Sequence, residues 1–113
     1  MVAVIFNRPD TTAQVFETIR RAQPRVLYVL ADGPRVDRPD DAALCAETRR
    51  LFESIDWDCR VERVFAKTNQ GIKKTFDEGL ARVFSEVEEA IILEDDCLPH
   101  ASFFPYCTEM LAR

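Results

Sequence analysis

The sequence predicts an α/β fold built on a parallel sheet of about four strands, with helices on both faces. Apolar runs at residues 2–6, 26–30 and 90–93 have the continuous hydrophobicity of strands covered on both sides. Residues 59–65 alternate enough to form one more strand, with one face or edge less covered. Stretches with helical spacing separate these runs, so strand and helix alternate as they do in helix-covered parallel sheets.

Capping and turn residues predict the limits of the first two helices. The first begins after Asp10 or Thr11, either of which can cap it, and ends at Pro24. The second runs from Pro39 to about Ser54, because proline suits the first position of a helix.

The third helix follows Gly71, and the last one starts at Pro99. Gly79 lies inside the third helix, where glycine costs about 1 kcal/mol relative to alanine. The sequence leaves two explanations open: Gly79 packs closely against another element, or the helix tolerates the cost.

Composition narrows the class of protein. The chain has 113 residues with 47% hydrophobic content, which suits one domain spanning residues 1–113. Its formal charge of −5 argues against a protein that binds nucleic acid or an anionic membrane surface. With no run of about 20 apolar residues to span a membrane, we expect a soluble, cytoplasmic protein. The four cysteines lack metal-binding spacing and are expected to be reduced thiols.

Polar residues follow each predicted strand. In parallel sheets of this kind, ligands bind outside the carboxyl ends of the strands, so these loops are the candidate site. A phosphate-binding P-loop motif is absent. The candidate substrate-binding and metal-binding residues are Asn7, Arg8, Asp32, Gly33, Asn69, Gly71, Lys73, Glu94, Asp95 and Asp96.

Glu94, Asp95 and Asp96 are the most informative of these residues. Three consecutive carboxylates repel one another, and a divalent cation would relieve that repulsion. Carboxylate oxygens suit Mn²⁺ or Mg²⁺, which bind one or two of them together with substrate phosphates. If the strand continues through them, Glu94 and Asp96 project to one side and Asp95 to the other. The alternative is a solvated acidic turn that caps the following helix.

Four segments follow one another along the chain: VAVIFNRP at residues 2–9, LYVLADGP at 27–34, NQG at 69–71 and IILEDDCLP at 91–99. In this order they resemble the nucleotide-binding half of GT-A glycosyltransferases. The acidic segment resembles the Glu-Asp-Asp version of the family's DxD-type signature in the N-acetylglucosaminyltransferase I branch. The resemblance covers essentially the whole chain and implies a Rossmann-like sheet with strand order 3-2-1-4.

The resemblance implies that the chain binds a UDP-sugar for transfer in bacterial surface polysaccharide or glycoconjugate synthesis. Asp96 would coordinate the metal that bridges the diphosphate. Asp95 would meet the ribose or the donor sugar, and Glu94 would support the same pocket. Asn7 and Arg8 match the loop that holds the nucleotide, and the alternative is that Arg8 is an exposed loop cation.

Asp32 and the adjoining Gly33 match the position that reads uracil or ribose, while a simple turn explains them as well. The backbone amides near Asn69 and Gly71, together with Lys73, can face phosphate at a helix start. For these residues, helix capping by Asn69 and solvated lysine side chains form the alternative explanation.

His100 is a candidate neighbour of the metal, although a lone histidine near a helix start is more often a capping or surface residue. Aromatic residues are read as packing residues rather than as a platform for the sugar. They are Trp57, Phe103, Phe104 and Tyr106.

Complete members of the family continue past the acidic motif into strands that bind the acceptor and, in inverting members, supply the general base. We therefore expect a fragment or a short protein that lacks the acceptor half, with its catalytic residues unknown. The residues specify neither the donor sugar nor the acceptor. A chain cut there would leave strand 90–93 at an open edge, which predicts a homodimer through that edge or through exchange of the C-terminal helix.

Two other functions stay open. The first is a noncatalytic nucleotide-binding or assembly module of the same fold. The second, more remote, is a receiver-like signalling domain, which also has clustered acids and magnesium. Receivers carry their acidic pair after the first strand, whereas this chain has Asn7 and Arg8 there.

Overall fold

A computed structural model describes residues 1–96, 98 and 103–112 of the chain. Its centre is a four-stranded, all-parallel sheet in the order β3-β2-β1-β4, which confirms the predicted α/β class and strand order. The strands are β1 (Val2–Ile5), β2 (Val26–Ala31), β3 (Arg60–Phe65) and β4 (Ile92–Glu94). The helices are α1 (Pro9–Ala22), α2 (Asp41–Arg50, followed by a 3₁₀ turn at Leu51–Glu53), α3 (Ile72–Glu86) and α4 (Phe103–Leu111).

Alternate residues of the strands face two separate apolar layers, so helices cover both faces as predicted. On one face, Ala3, Leu27 and Val29 join the buried side of α1 and the 3₁₀ turn, with Phe16 against Phe52 at 5.0 Å between ring centroids. The other face is covered by α3, where the buried residues are Val2, Val4, Tyr28, Leu30 and Val83. Every residue of β1 is buried, as the continuous apolar run indicated.

The first two helices begin at other residues than the sequence indicated. Pro9 occupies the first turn of α1, and Arg8 precedes it without a side-chain cap, so the expected capping by Asp10 or Thr11 is wrong. A left-handed residue, Gln23 with φ +50°, ends this helix, and its N–H donates to the Ile19 carbonyl at 3.0 Å. The second helix begins at Asp41 rather than at Pro39.

β4 begins two residues later and ends one residue later than the predicted strand at 90–93. Its register with β1 pairs Val2 with Ile92 and Val4 with Glu94, so the ladder starts only where β1 itself starts. The Val2 N–H donates to the Ile91 carbonyl at 2.7 Å just before the paired stretch. Glu94 is therefore the last residue of the strand instead of the first residue after it.

The two edge strands of the described sheet differ in character. Arg60 and Arg82 flank Glu62 at 3.2 and 3.1 Å, so charged groups cover the edge formed by β3. This confirms the prediction that the strand at 59–65 is less covered than the others. At the opposite edge, β4 leaves Ile92 37% exposed. Charged side chains discourage pairing of an edge with another strand, and the ion pairs of Glu62 provide them at the β3 edge.

Within the described part of the chain, no helix combines the length and the apolar character needed to cross a bilayer. Cys45, Cys59 and Cys107 are free thiols there, and burial raises the pKa of Cys45 and Cys59. Trp57 packs against Phe16 as expected, whereas Tyr106 is 59% exposed and is not a core residue.

Candidate functional site at the carboxyl edge of the sheet

The loops that carry the predicted site residues all leave the same edge of the sheet. Because the four strands are parallel, their carboxyl ends lie side by side. The loop after β1 contains Asn7 and Arg8. β4 pairs directly with β1 and ends at Glu94, immediately before Asp95 and Asp96. The loops after β2 and β3 are neighbours in the same way.

Asp32 joins the loop after β2 to the loop after β3. It is 5% exposed, and its Oδ1 accepts the backbone N–H groups of Gly33 at 2.8 Å and Gln70 at 2.9 Å. Its Oδ2 accepts Asn69 Nδ2 and the Gly71 N–H, both at 3.0 Å. Since a carboxylate offers about four acceptor positions, these four hydrogen bonds fill the acceptor positions of Asp32. In this arrangement Asp32 holds the loops together.

These contacts also engage the backbone amides near Asn69 and Gly71, which the sequence predicts to face phosphate. The N–H groups of Gln70 and Gly71 point at Asp32, not outward. Asn69 donates to Asp32 and to the Gly33 carbonyl at 3.0 Å. The residue that caps α3 is Gly71, and it has no side-chain cap bond within the described residues, so helix capping by Asn69 is wrong.

Both glycines of the site meet a geometric requirement. A Cβ on Gly33 would lie 2.4 Å from the carbonyl carbon of Thr68, so the loop after β3 crosses too close for any side chain there. Gly71 has φ +91°, a conformation that residues with a Cβ rarely adopt. Lys73 is 90% exposed and pairs with Asp77 at 3.0 Å along the surface of α3.

A second buried carboxylate, Asp41 at the start of α2, holds the loop after β1. Its side chain is 3% exposed, and Oδ1 accepts Asn7 Nδ2 at 3.0 Å. Arg35 donates to the same group from Nε at 2.7 Å, from Nη2 at 3.2 Å and from its backbone N–H at 3.2 Å. Hydrogen bonding from Arg35 holds the pKa of Asp41 well below its usual range, with Asn7 as a further contributor.

Sequence reasoning missed both Asp41 and Arg35. They lie in a polar stretch whose only evident signal was Pro39, and nothing in that pattern connects Asp41 to Asn7, which is 34 positions away. The guanidinium of Arg35 also lies over the ring of Phe6, 5.4 Å from its centroid. Arg35 therefore lies across the carboxyl end of β1.

Arg49 is a third connection between strand ends that the sequence did not indicate. Its Nη2 donates to the carbonyls of Asp32 and Ala66, both at 2.9 Å. The guanidinium lies 4.7 Å from the centroid of Phe65, and among the described residues its buried Nε finds no partner. This side chain fixes the end of β2 against the end of β3 from the α2 side.

The acidic residues lie at the end of β4, next to the end of β1. The strand stops at Glu94, and Asp95 and Asp96 form a turn, so the extended alternation expected through all three does not continue. Glu94 and Asp96 are exposed and make no hydrogen bond or ion pair with other described side chains, whereas Asp95 is half-buried. Burial raises the pKa of Asp95, Arg8 opposes that shift, and Asp96 and Glu94 add to it.

Glu94 and Asp95 line a small cavity of about 90 Å³. Phe6 belongs to its wall, so the ring under Arg35 also borders the acidic residues. The remaining lining residues are apolar and come from β1 and α3: Val4, Ile5, Ile72 and Phe76. A larger cavity of about 730 Å³ lies between the end of α1 and α4. It is remote from the carboxyl ends of the strands, which are the usual ligand-binding edge of a parallel sheet.

Within residues 1–96, 98 and 103–112, no group of three or more histidine, cysteine or acidic side chains is arranged to hold a metal ion. The chemistry of the donors nevertheless fits Mn²⁺ or Mg²⁺, which take one or two protein carboxylates and complete their shell with water and phosphate oxygens. The exposed carboxylate of Asp96 is an oxygen group of this chemical type. His100, Pro99 and Cys97 lie outside the described residues.

Comparison of the chain with protein-family models, with curated proteins and with solved structures finds no match.

Proposed function

We propose that the chain binds the diphosphate of a nucleotide sugar, with UDP as its nucleotide, at the carboxyl edge of the sheet. The observation that carries the proposal is the position of the acidic residues. Glu94 and Asp96 leave the sheet beside the loop of Arg8, exposed and without an ion-pair partner in the described part of the chain. Unpaired carboxylates next to a cation at this edge suit a ligand that brings its own metal and negative charge.

Each group at the edge has a role in this proposal. Asp96 is the metal ligand, and Asp95 meets the ribose or the donor sugar, with Glu94 beside it. Arg8 offsets part of the negative charge of the diphosphate, and Asn7 is held in place by Asp41. Asp32, Gly33, Asn69 and Gly71 shape the nucleotide pocket through the bonds that join their loops. Lys73, at the surface of α3, provides a more distant positive charge.

The reaction that this site would serve is glycosyl transfer. A bound divalent cation supplies charge stabilisation for a diphosphate leaving group. The side chains orient the donor, and the buried bonds of Asp32 and Asp41 keep the loops in place before the ligand arrives, which lowers the cost of ordering them. No described residue is assigned as the general base, so donor binding is the core of the proposal, and transfer to an acceptor in the cytoplasm is its extension.

The strand order favours this function over a receiver-like domain. In receivers and related folds the order is 2-1-3-4-5, so the third strand pairs with the first. In this chain β3 pairs with β2, and the acidic residues follow β4. The classic Rossmann order 3-2-1-4-5-6 begins with the four strands in the order observed here.

The test is calorimetric titration with UDP in the presence and absence of Mn²⁺, on the wild type and on Asp96→Asn. We expect metal-dependent binding that weakens at least about tenfold in the variant, because its metal ligand has lost its charge. Asp58→Asn is the matched control, since Asp58 is an exposed acid before β3 at the opposite edge. The proposal fails if the wild type does not bind UDP, or if binding is equal without metal and in Asp96→Asn.

A further inference from the structure

We propose that Arg35 binds the diphosphate of the donor nucleotide and that Asp41 is a positioning residue that orients its guanidinium. The inference rests on the proposed nucleotide site and adds to it a cation that the sequence patterns did not indicate. Four observations support it: the geometry of the Arg35 and Asp41 pair, the place of Arg35 over Phe6, its open side, and the charge of its surroundings.

The pair has the fork geometry of a strong charge-assisted interaction. Nε and Nη2 of Arg35 donate to the two oxygens of Asp41 at 2.7 and 3.2 Å. The backbone N–H of Arg35 adds a third bond at 3.2 Å. Two parallel bonds to a carboxylate that is only 3% exposed define the plane of the guanidinium as well as its position.

This plane lies at the proposed site. The guanidinium carbon of Arg35 is 5.4 Å from the centroid of Phe6, the residue that follows β1. Phe6 also borders the cavity that Glu94 and Asp95 line. Arg35 and the acidic residues thus approach the same aromatic side chain, which places the cation at the rim of the proposed diphosphate site.

One side of the guanidinium stays available to a ligand. The Arg35 side chain is 40% exposed, although its partner Asp41 is buried. In the described part of the chain, Nη1 of Arg35 makes no hydrogen bond. Since a guanidinium carries five N–H donors, an arginine bound through Nε and Nη2 keeps donors for a second acceptor. A planar donor group of this kind matches phosphate oxygens better than a lysine does.

The negative charge of the acidic residues and of a bound diphosphate at this edge favours a further cation. Glu94, Asp95 and Asp96 would repel a diphosphate, and one metal ion together with Arg8 offsets only part of the combined negative charge. Arg35 adds a positive charge whose guanidinium carbon lies 5.4 Å from the centroid of the Phe6 ring. The competing explanation is that the ion pair only closes the loop between Arg35 and Asp41. That explanation predicts that removal of the pair lowers the stability of the fold and does not weaken the binding of UDP more than that of uridine.

The experiment compares UDP with uridine, both in Mn²⁺, by calorimetric and NMR titration. The main variant is Arg35→Met with Asp41→Asn, which removes both charges together and so leaves no buried carboxylate unpaired. The amide introduced by Asp41→Asn keeps an oxygen that can accept the Asn7 side chain. Arg35→Lys is the second variant, because it keeps the positive charge and loses the two parallel N–H donors of the guanidinium. Arg20→Met with Asp56→Asn is the matched control, since that exposed pair, 2.9 Å apart, lies at the far end of α1.

We expect the double variant at Arg35 and Asp41 to weaken UDP binding at least about tenfold, as for a lost charge-assisted bond. In the same double variant, uridine binding should change less than about twofold. Arg35→Lys should give an intermediate loss of UDP affinity. The control pair should leave the binding of both ligands unchanged. Equal UDP affinity in wild type and in folded variants at Arg35 overturns the inference and leaves the proposed function intact. Equal losses for UDP and uridine also overturn it, whereas a wild type that binds no UDP overturns both proposals.

Discussion

Asp32 and Asp41 are buried carboxylates that join loops distant in sequence, and each accepts four hydrogen bonds. Asp32 takes three of its bonds from the loop after β3, and Asp41 connects Asn7 to Arg35. Burying a carboxylate is unfavourable unless such bonds replace its hydration. At the scale of single residues, these two side chains therefore determine the shape of the candidate site more than any exposed charge does.

The low pKa of Asp41 predicts a pH-dependent contribution to folding. A group whose pKa is depressed in the folded state stabilises that state above its unfolded pKa and loses this effect as pH falls toward the folded value. Asp41→Asn should therefore lower the melting temperature at pH 7. The difference from the wild type should shrink below about pH 4, where the carboxyl group of the unfolded chain becomes protonated.

Thermal unfolding followed by circular dichroism between about pH 7 and about pH 3 measures this difference. Asp58→Asn serves as the control, because Asp58 is exposed and should give a small difference at every pH. A gap between Asp41→Asn and the wild type that stays constant over this whole range would contradict the assigned role of the carboxylate.

At the scale of elements, α3 packs closely against β2 through a residue without a side chain. A Cβ on Gly79 would lie 2.5 Å from Cδ1 of Leu30, which is fully buried. This answers the question that the sequence left open: Gly79 is a contact residue, and the helix accepts its low propensity for the sake of packing. Close approach of α3 also sets the position of Gly71 and of the loop that Asp32 binds.

Gly79→Ala should destabilise the protein by about 1 kcal/mol, because the cost of moving Leu30 exceeds the gain of about 1 kcal/mol in helix propensity. Urea denaturation gives the free energy of unfolding. Ala81→Gly, on the exposed side of the same helix, measures the propensity term alone and should cost about 1 kcal/mol. If Gly79→Ala instead gains stability by a similar amount, the contact with Leu30 is not limiting.

At the scale of the whole molecule, the two edges of the described sheet differ in their capacity for association. Charged pairs of Arg60, Glu62 and Arg82 cover the β3 edge. At the β4 edge, Ile92 is exposed, and Tyr106 and Met110 on α4 are 59% and 47% exposed nearby in a shared cavity wall. Exposed apolar groups beside an edge strand favour pairing with another copy, so a homodimer through this edge remains a prediction.

Sedimentation velocity over a range of concentrations tests the dimer. We expect a concentration-dependent dimer in the wild type and a monomer in Ile92→Glu, since a charge on a strand edge opposes pairing. Val36→Glu is the control, because Val36 is fully exposed in the loop before α2 and does not line the cavity wall that Ile92 shares with α4. A wild type that sediments as a monomer at the highest concentration would rule out association through this edge.

Local patterns in the sequence were sufficient for the fold class and for the set of loops at one edge, whereas the strand order was predicted only from the family resemblance. They were sufficient because burial on two faces imposes continuous apolar runs, and turns impose glycine, proline and aspartate, within short stretches of chain. The positions of Asn7, Asp32 and Glu94 at strand ends follow from that reasoning.

The tertiary structure alone decided which polar groups of the site are engaged and which face outward. Asp32 bonds with residues 37 to 39 positions away, and Asp41 bonds with Asn7 34 positions away. No local pattern encodes such pairs, because they arise when separate strands align their carboxyl ends. For the same reason, only the fold, which places Arg35 over Phe6, identifies Arg35 as a candidate ligand-binding residue.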